Sequence, residues 1–382
     1  MLYAYDDNGK LSSLYQLSKQ RIEQLRKEKT YFCPTCKESL QIRSGRLHTA
    51  HFAHFPSSNC ERKHQGESEY HESGKWLLYQ WLTHQGYDVE LEFFLKETNQ
   101  RPDLFFTVGD KRIAIEFQCS TIPPEIIEKR TKSLNEAGIF PLWIIGKNQY
   151  RQKGKHQLLH TTFHRSLMYY FHSNFCMYYL DVKAQTIIIA DHIQGSSTTL
   201  CYANPRFYSL KSVTFPQLFT SVPYPSFSYL NIWEKSMYHL RTTYHRRVGS
   251  EELQWRQYLY LKGKHFSLIP SVCFLPVPSQ SIYHVKAYMW QTRFILDHFM
   301  EKPIGDVINN EQKVRCKTIN QYQANPIQEY ILMLGKLGFV KKTGEGEWVK
   351  LKEIQFPTHI DQALEEDKRV MFFLRRQTNV VL

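Results

Sequence analysis

The stretch RPDLFFTVGDKRIAIEFQCS, residues 101–120, carries two acids at telling points. Asp103 opens one apolar run, and Glu116 lies near the end of the next, two places before Gln118. Val108-Gly109-Asp110 between the runs is a turn signal, so the stretch reads as a β-hairpin. Side chains alternate along a strand, which puts Glu116 and Gln118 on one face and Ile113, Ile115 and Phe117 on the other. Folding the hairpin brings Asp103 within reach of the same cation as Glu116. Mg²⁺ (or Mn²⁺) suits two such carboxylates, because it keeps waters for a phosphate substrate. The ion polarises a phosphoryl oxygen and lowers the pKa of a bound water. Two acids buried without a cation would be costly.

A second cluster, CPTCKESLQIRSGRLHTAHFAHFPSSNC, holds Cys33, Cys36, His48, His51, His54 and Cys60. A Cys-Pro-x-Cys turn presents two thiolates as in a zinc knuckle, and Zn²⁺ wants four N or S ligands in a tetrahedron. Cys33 and Cys36 are the firm pair. The other two ligands come from His51, His54 and Cys60, with His48 ranked lower. Four protein ligands would make this zinc structural.

The elements around these residues follow from periodicity. Residues 11–29 space Leu14, Leu17, Ile22 and Leu25 as an amphipathic helix does. GESEYHESGKWLLYQWLTHQG is a second helix, with Ser68 as cap and Gly86 as stop. Its stripe of His71, Lys75, Leu78 and Leu82 should face the sheet, and Glu72 lies beside it. His71 and Lys75 are then candidates to orient ligands, water or phosphate. YDVELEFFL, DLFFTV and RIAIEFQCS read as strands. PPEIIEKRTKSLNEAG begins on prolines and ends on glycine, as helices do, and it offers Arg130 as a phosphate contact. IFPLWIIG is a buried strand. The order α-β-β-β-α-β predicts a mixed sheet with helices on its faces.

Beyond residue 150 the pattern is a hairpin after HRSLMYYFHSNF, then a basic, aromatic helical stretch from residue 229 to 263. PSVCFLPVPSQ reads as a linker or extended passage. A helix and two strands near 310–352 suggest a winged helix. The expected domains are 1–64 (helix and zinc module), 65–150 (core) and 151–382 (basic, mostly helical).

Lys plus Arg outnumber Asp plus Glu by 49 to 36, giving +13 with neutral His. That surplus favours a polyanionic partner, nucleic acid or an anionic membrane face; for nucleic acid, Arg and Lys would meet phosphates and aromatics would stack on bases. No stretch is apolar and long enough to span a bilayer, the first residues are no secretory signal, and scattered cysteines fit a reducing cytosol.

Pro102-Asp103 followed by Glu116-Phe117-Gln118, on this element order, resembles the PD-(D/E)xK nuclease superfamily, with Gln where Lys is usual. The resemblance implies Asp103 and Glu116 as metal ligands, the Phe117 carbonyl as a further ligand, and Gln118 in the position that orients water. CPTC, HFAH, GESEYHESGK, RPD and IAIEFQCS together resemble the CoiA-like competence proteins of Gram-positive bacteria. That resemblance implies natural transformation: a cytoplasmic protein acting on incoming, single-stranded DNA, with a recombinase or other competence proteins as partners. It implies either a nuclease or, because Gln118 brings no charge, a DNA-binding scaffold that recruits recombination proteins.

Overall fold

A computed structural model describes residues 3–378 apart from 16, 35, 45–49, 59, 61–67, 196–198, 221–228, 244–246, 309–315 and 345. His48 lies outside the described residues. Contacts divide the chain into two units: Met1–Arg151 with Met177–Ile189 and Arg206–Thr220, and Gln152–Cys176 with Ala190–Pro205 and Ser221–Leu382.

The first unit opens with a small sheet of order β2-β1-β3-β4-β5, made of β1 (Tyr3–Asp6), β2 (Leu11–Ser13), β3 (Tyr31–Phe32), β4 (Ser39–Arg43) and β5 (His51–His54). The helix expected over 11–29 is shorter than that. Its first residues pair with β1 as β2, turning through Gly9 at φ +71°, and α1 spans only Lys19–Glu28. Ser18 is the reason for the late start, since its side chain caps the Arg21 N–H. The spacing of Leu14, Leu17, Ile22 and Leu25 still marks the buried face, because all four pack into this module's core.

The core continues with α2 (Glu69–Thr83), β6 (Val89–Leu91), β7 (Leu104–Val108), β8 (Lys111–Gln118), α3 (Pro124–Glu136) and β9 (Ile139–Gly146). Ser68 caps α2 through the His71 N–H, as expected. β6, β7 and β8 are antiparallel neighbours, and α3 carries the chain over to β9, parallel to β8. The sheet is therefore mixed. It continues past residue 150: its order within this unit is β14-β13-β12-β9-β8-β7-β6, where β12 is Asn174–Asp181, β13 Thr186–Gly195 and β14 Leu200–Ser209. β9 is the central strand, apolar throughout, as both faces covered by helices and loops require.

Among the second unit's elements, β10 (Gln157–Leu159) pairs with the start of β14, and β11 (Tyr169–Phe171) pairs with β12. After α4 (Thr162–Arg165) and the strands come α5 (Tyr229–Thr242), α6 (Ser250–Leu261), α7 (Ala287–Phe294), α8 (Pro326–Lys336) and α9 (Ile360–Thr378), with two short hairpins. One expectation fails here. PSVCFLPVPSQ is no linker: Val272, Cys273, Phe274, Leu275 and Val277 lie in this unit's core. The prolines only deny it regular hydrogen bonding, so the chain crosses the core in short 3₁₀ turns. The helix of 326–336 is followed by the hairpin Val340–Lys342 with Trp348–Lys350.

Candidate functional site

The register of β7 and β8 sets the acids. Leu104 pairs with Ile115, so Asp103 lies opposite Glu116. The Asp103 carboxylate accepts the Phe117 N–H at 2.7 Å, which anchors it at the strand end. Glu116 is only 3% exposed. Its partner is Arg130 of α3, one helical turn before the buried Leu134, and the Arg130 guanidinium donates to a Glu116 carboxyl oxygen. The Arg130 guanidinium also lies 5.4 Å from the centre of the Trp143 ring.

Helix α2 covers the other face of β8. Gly74 is there because nothing larger fits: a Cβ on it would sit 2.0 Å from the Phe117 ring. That close approach lets the His71 ring stack on Phe117 at 5.7 Å while His71 Nε2 lies 3.4 Å from Asp103 Oδ2. Lys75, one turn on, is fully buried. Its ammonium lies 2.7 Å from Glu92 and 3.2 Å from Glu72. Tyr3 of β1 donates to the same Glu92 oxygen, which ties the small sheet to the core. Gln118 is turned elsewhere, its amide donating to the Ser120 carbonyl at 2.7 Å.

The charges are tuned by these neighbours. Burial pushes Glu116 up to about 8, aided by the Asp103 charge and opposed by Arg130. Burial also pushes Asp103 upward, but His71, the Lys75 charge and the Phe117 N–H outweigh it and hold the carboxyl below the usual range. For Lys75 burial pulls downward, yet Tyr3, Glu92, Glu72 and Asp103 keep the ammonium well above its ordinary value. One acid of the pair is thus ionised and the other carries a proton near neutrality. A divalent ion between them would favour ionisation of both, since all-oxygen donors of this kind fit a hard cation.

Asp103, Glu116, His71, Lys75 and Glu72, expected together from the sequence, share one neighbourhood, and Arg130, expected at DNA, lies beside them. Glu92 and Tyr3 carry no such signal in the sequence. Alternation along YDVELEFFL treats Glu92 as an ordinary strand residue. In the structure the strand stops at Leu91, and Glu92 adopts φ +52°, which turns its carboxylate in to Lys75. Tyr3 lies 89 residues from Glu92, and no local pattern signals it.

In the small sheet, Cys33, Cys36, His54 and Cys60 bring their ligand atoms within 4.8 Å of one another. A tetrahedron with Zn–S near 2.3 Å has edges of about 3.8 Å, so this group can hold zinc. Alternation along β5 chooses the histidine: His54 shares the inward face with Phe52, and His51 takes the other face. Burial pushes the Cys36 thiol up to about 12, with Cys60 and Cys33 adding to the rise. A bound cation would displace that proton from Cys36.

Models of three domains match the chain. The one described as competence protein CoiA, nuclease-like domain, matches residues 67–223. Those of the CoiA N-terminal and C-terminal domains match residues 14–63 and 230–364. The competence protein CoiA of Bacillus subtilis (strain 168) is 27% identical over 363 residues, covering 91% of this chain and 96% of that relative. No solved structure matches. Three domain models of one family, matched in order over residues 14–63, 67–223 and 230–364, show that the chain belongs to the competence protein CoiA family.

Proposed function

We propose that this protein is a metal-dependent deoxyribonuclease that acts in the cytoplasm on incoming DNA, single strands foremost, during natural transformation. The observation that supports it best is the Asp103–Glu116 pair, opposite each other across two strands and each shifted in the opposite sense by burial and charge. Mg²⁺ or Mn²⁺ held by Asp103 and Glu116, with the Phe117 carbonyl as a third protein donor, would supply Lewis acidity toward a phosphoryl oxygen and a water. The chain's own residues do the rest. His71 and the Phe117 N–H fix the Asp103 carboxylate. Lys75, held by Glu72 and Glu92, keeps it ionised. Arg130 brings a positive charge to the acid pair, in place of the motif lysine that Gln118 replaces, and is suited to a phosphate once Glu116 turns to the ion. The zinc group is structural.

A scaffold that recruits a recombinase to DNA is the second reading. It draws on Gln118 being engaged by Ser120 and on Lys75 being neutralised by two acids. Purified protein with Mg²⁺ or Mn²⁺, set against Glu116→Gln, separates the two. The nuclease reading expects cleavage of labelled DNA that requires both the ion and Glu116. DNA binding without cleavage in both proteins would refute it in favour of the scaffold.

A further inference from the structure

Most large apolar side chains in the first unit are covered, but Phe93 and Phe94, directly after Glu92, are 40% and 42% exposed. Scattered exposed apolar residues need no explanation. These two differ because each has a backing. Phe93 stacks on Phe105 at 5.6 Å between ring centres, with 18° between planes. The Arg101 guanidinium lies 5.7 Å from the centre of the Phe94 ring. Their place in the fold is also fixed. Phe105 pairs with Ala114, so its side chain leaves the sheet on the face that Ala114 shares with Glu116. On that face α3 sets Leu134 against Ala114 and Arg130 against Glu116. Two residues along a strand is about 7 Å, so the Phe105 position is about 7 Å from the acid pair, with Phe93 stacked on it. The left-handed Glu92 sets the start of this segment, so its carboxylate goes in to Lys75 while the next two rings stay out.

We propose that Phe93 and Phe94 form a stacking platform for unpaired bases, which makes single-stranded nucleic acid the preferred substrate of the acid site. The proposal rests on the nuclease reading for what the site does, but not for whether the platform binds. Two open rings offer π-faces to any base that is not already paired, and a duplex has its faces stacked internally. Arg101 on Phe94 and Arg130 at Glu116 give the flanking phosphates positive partners, and aromatic rings beside guanidinium groups fit a strand that alternates bases with phosphates.

The test uses binding alone. Full-length protein carrying Glu116→Gln, so that no strand is cut, is titrated against fluorescent single-stranded and duplex oligonucleotides at one salt concentration. Phe93→Ala is expected to weaken single-strand binding about 5- to 150-fold and to leave duplex binding nearly unchanged. Phe93→Trp should keep tight binding, and Phe94→Ala should repeat the alanine result. Unchanged single-strand affinity in the Phe93→Ala/Phe94→Ala double variant would overturn the proposal. So would equal losses on both DNA forms that Phe93→Trp does not restore. Set beside the cleavage assay on protein with Glu116 intact, metal-dependent cleavage with unchanged single-strand binding in the phenylalanine variants sinks the platform and leaves the nuclease. Loss of single-strand binding in those variants, with no cleavage by the protein with Glu116 intact, sinks the nuclease and leaves the platform.

Discussion

Lowering the pH should expel a divalent ion from the acid pair, and the proton responsible is the one on Glu116. The ion needs both carboxylates ionised. Asp103 is held below the usual range and stays ionised throughout. Glu116, pushed up to about 8 by burial and by Asp103, does not. Near pH 8 a large share of the Glu116 side chains is ionised and near pH 6 only a small one, so affinity should fall more than tenfold, about 2 kcal/mol. The stability of the metal-free chain runs the opposite way. Glu116 binds its proton more tightly in the metal-free folded chain than when unfolded. Its contribution is therefore present at low pH and is lost as pH rises from the ordinary carboxylate range through about 8. Added ion should restore stability most at the alkaline end. Calorimetric titration of Mn²⁺ into zinc-loaded protein, in two buffers of different ionisation heat, reads both affinity and protons released. The expected release is about one proton per ion near pH 6.5. Equal affinity at pH 6 and pH 8 would refute the reasoning, as would a pH dependence that survives Glu116→Gln.

Two further outcomes test the supports of the site. Lys75→Met leaves Glu72 and Glu92 buried without their cation, and breaking a buried pair in this way should cost about 3–5 kcal/mol in urea unfolding. Adding Glu92→Gln to that variant should recover part of the loss, and two effects that simply add would show the pair to be uncoupled. The zinc group predicts about one zinc per chain by elemental analysis, from a single four-ligand centre. Cys60→Ala should lose it and lower the melting temperature, while His51→Ala should keep it; zinc loss in the His51 variant would overturn the choice of His54.

Much of the site is written in local order. Alternation along residues 111–118 separates Glu116 from Phe117, and the helical stripe of α2 carries His71 and Lys75 to the sheet, because both patterns depend only on residues two to four apart. The cysteines and histidines likewise announce a metal group through spacing alone. Other choices wait for the folded chain. Which histidine faces the cysteines depends on the register of β5 against β4. That Arg130 pairs with Glu116, and that Tyr3 and Glu92 hold Lys75, depends on segments 14 to 89 residues apart being packed together. No periodicity reaches so far. A buried charge takes whichever partner the packed elements bring within a few ångströms, and only the tertiary structure decides which that is.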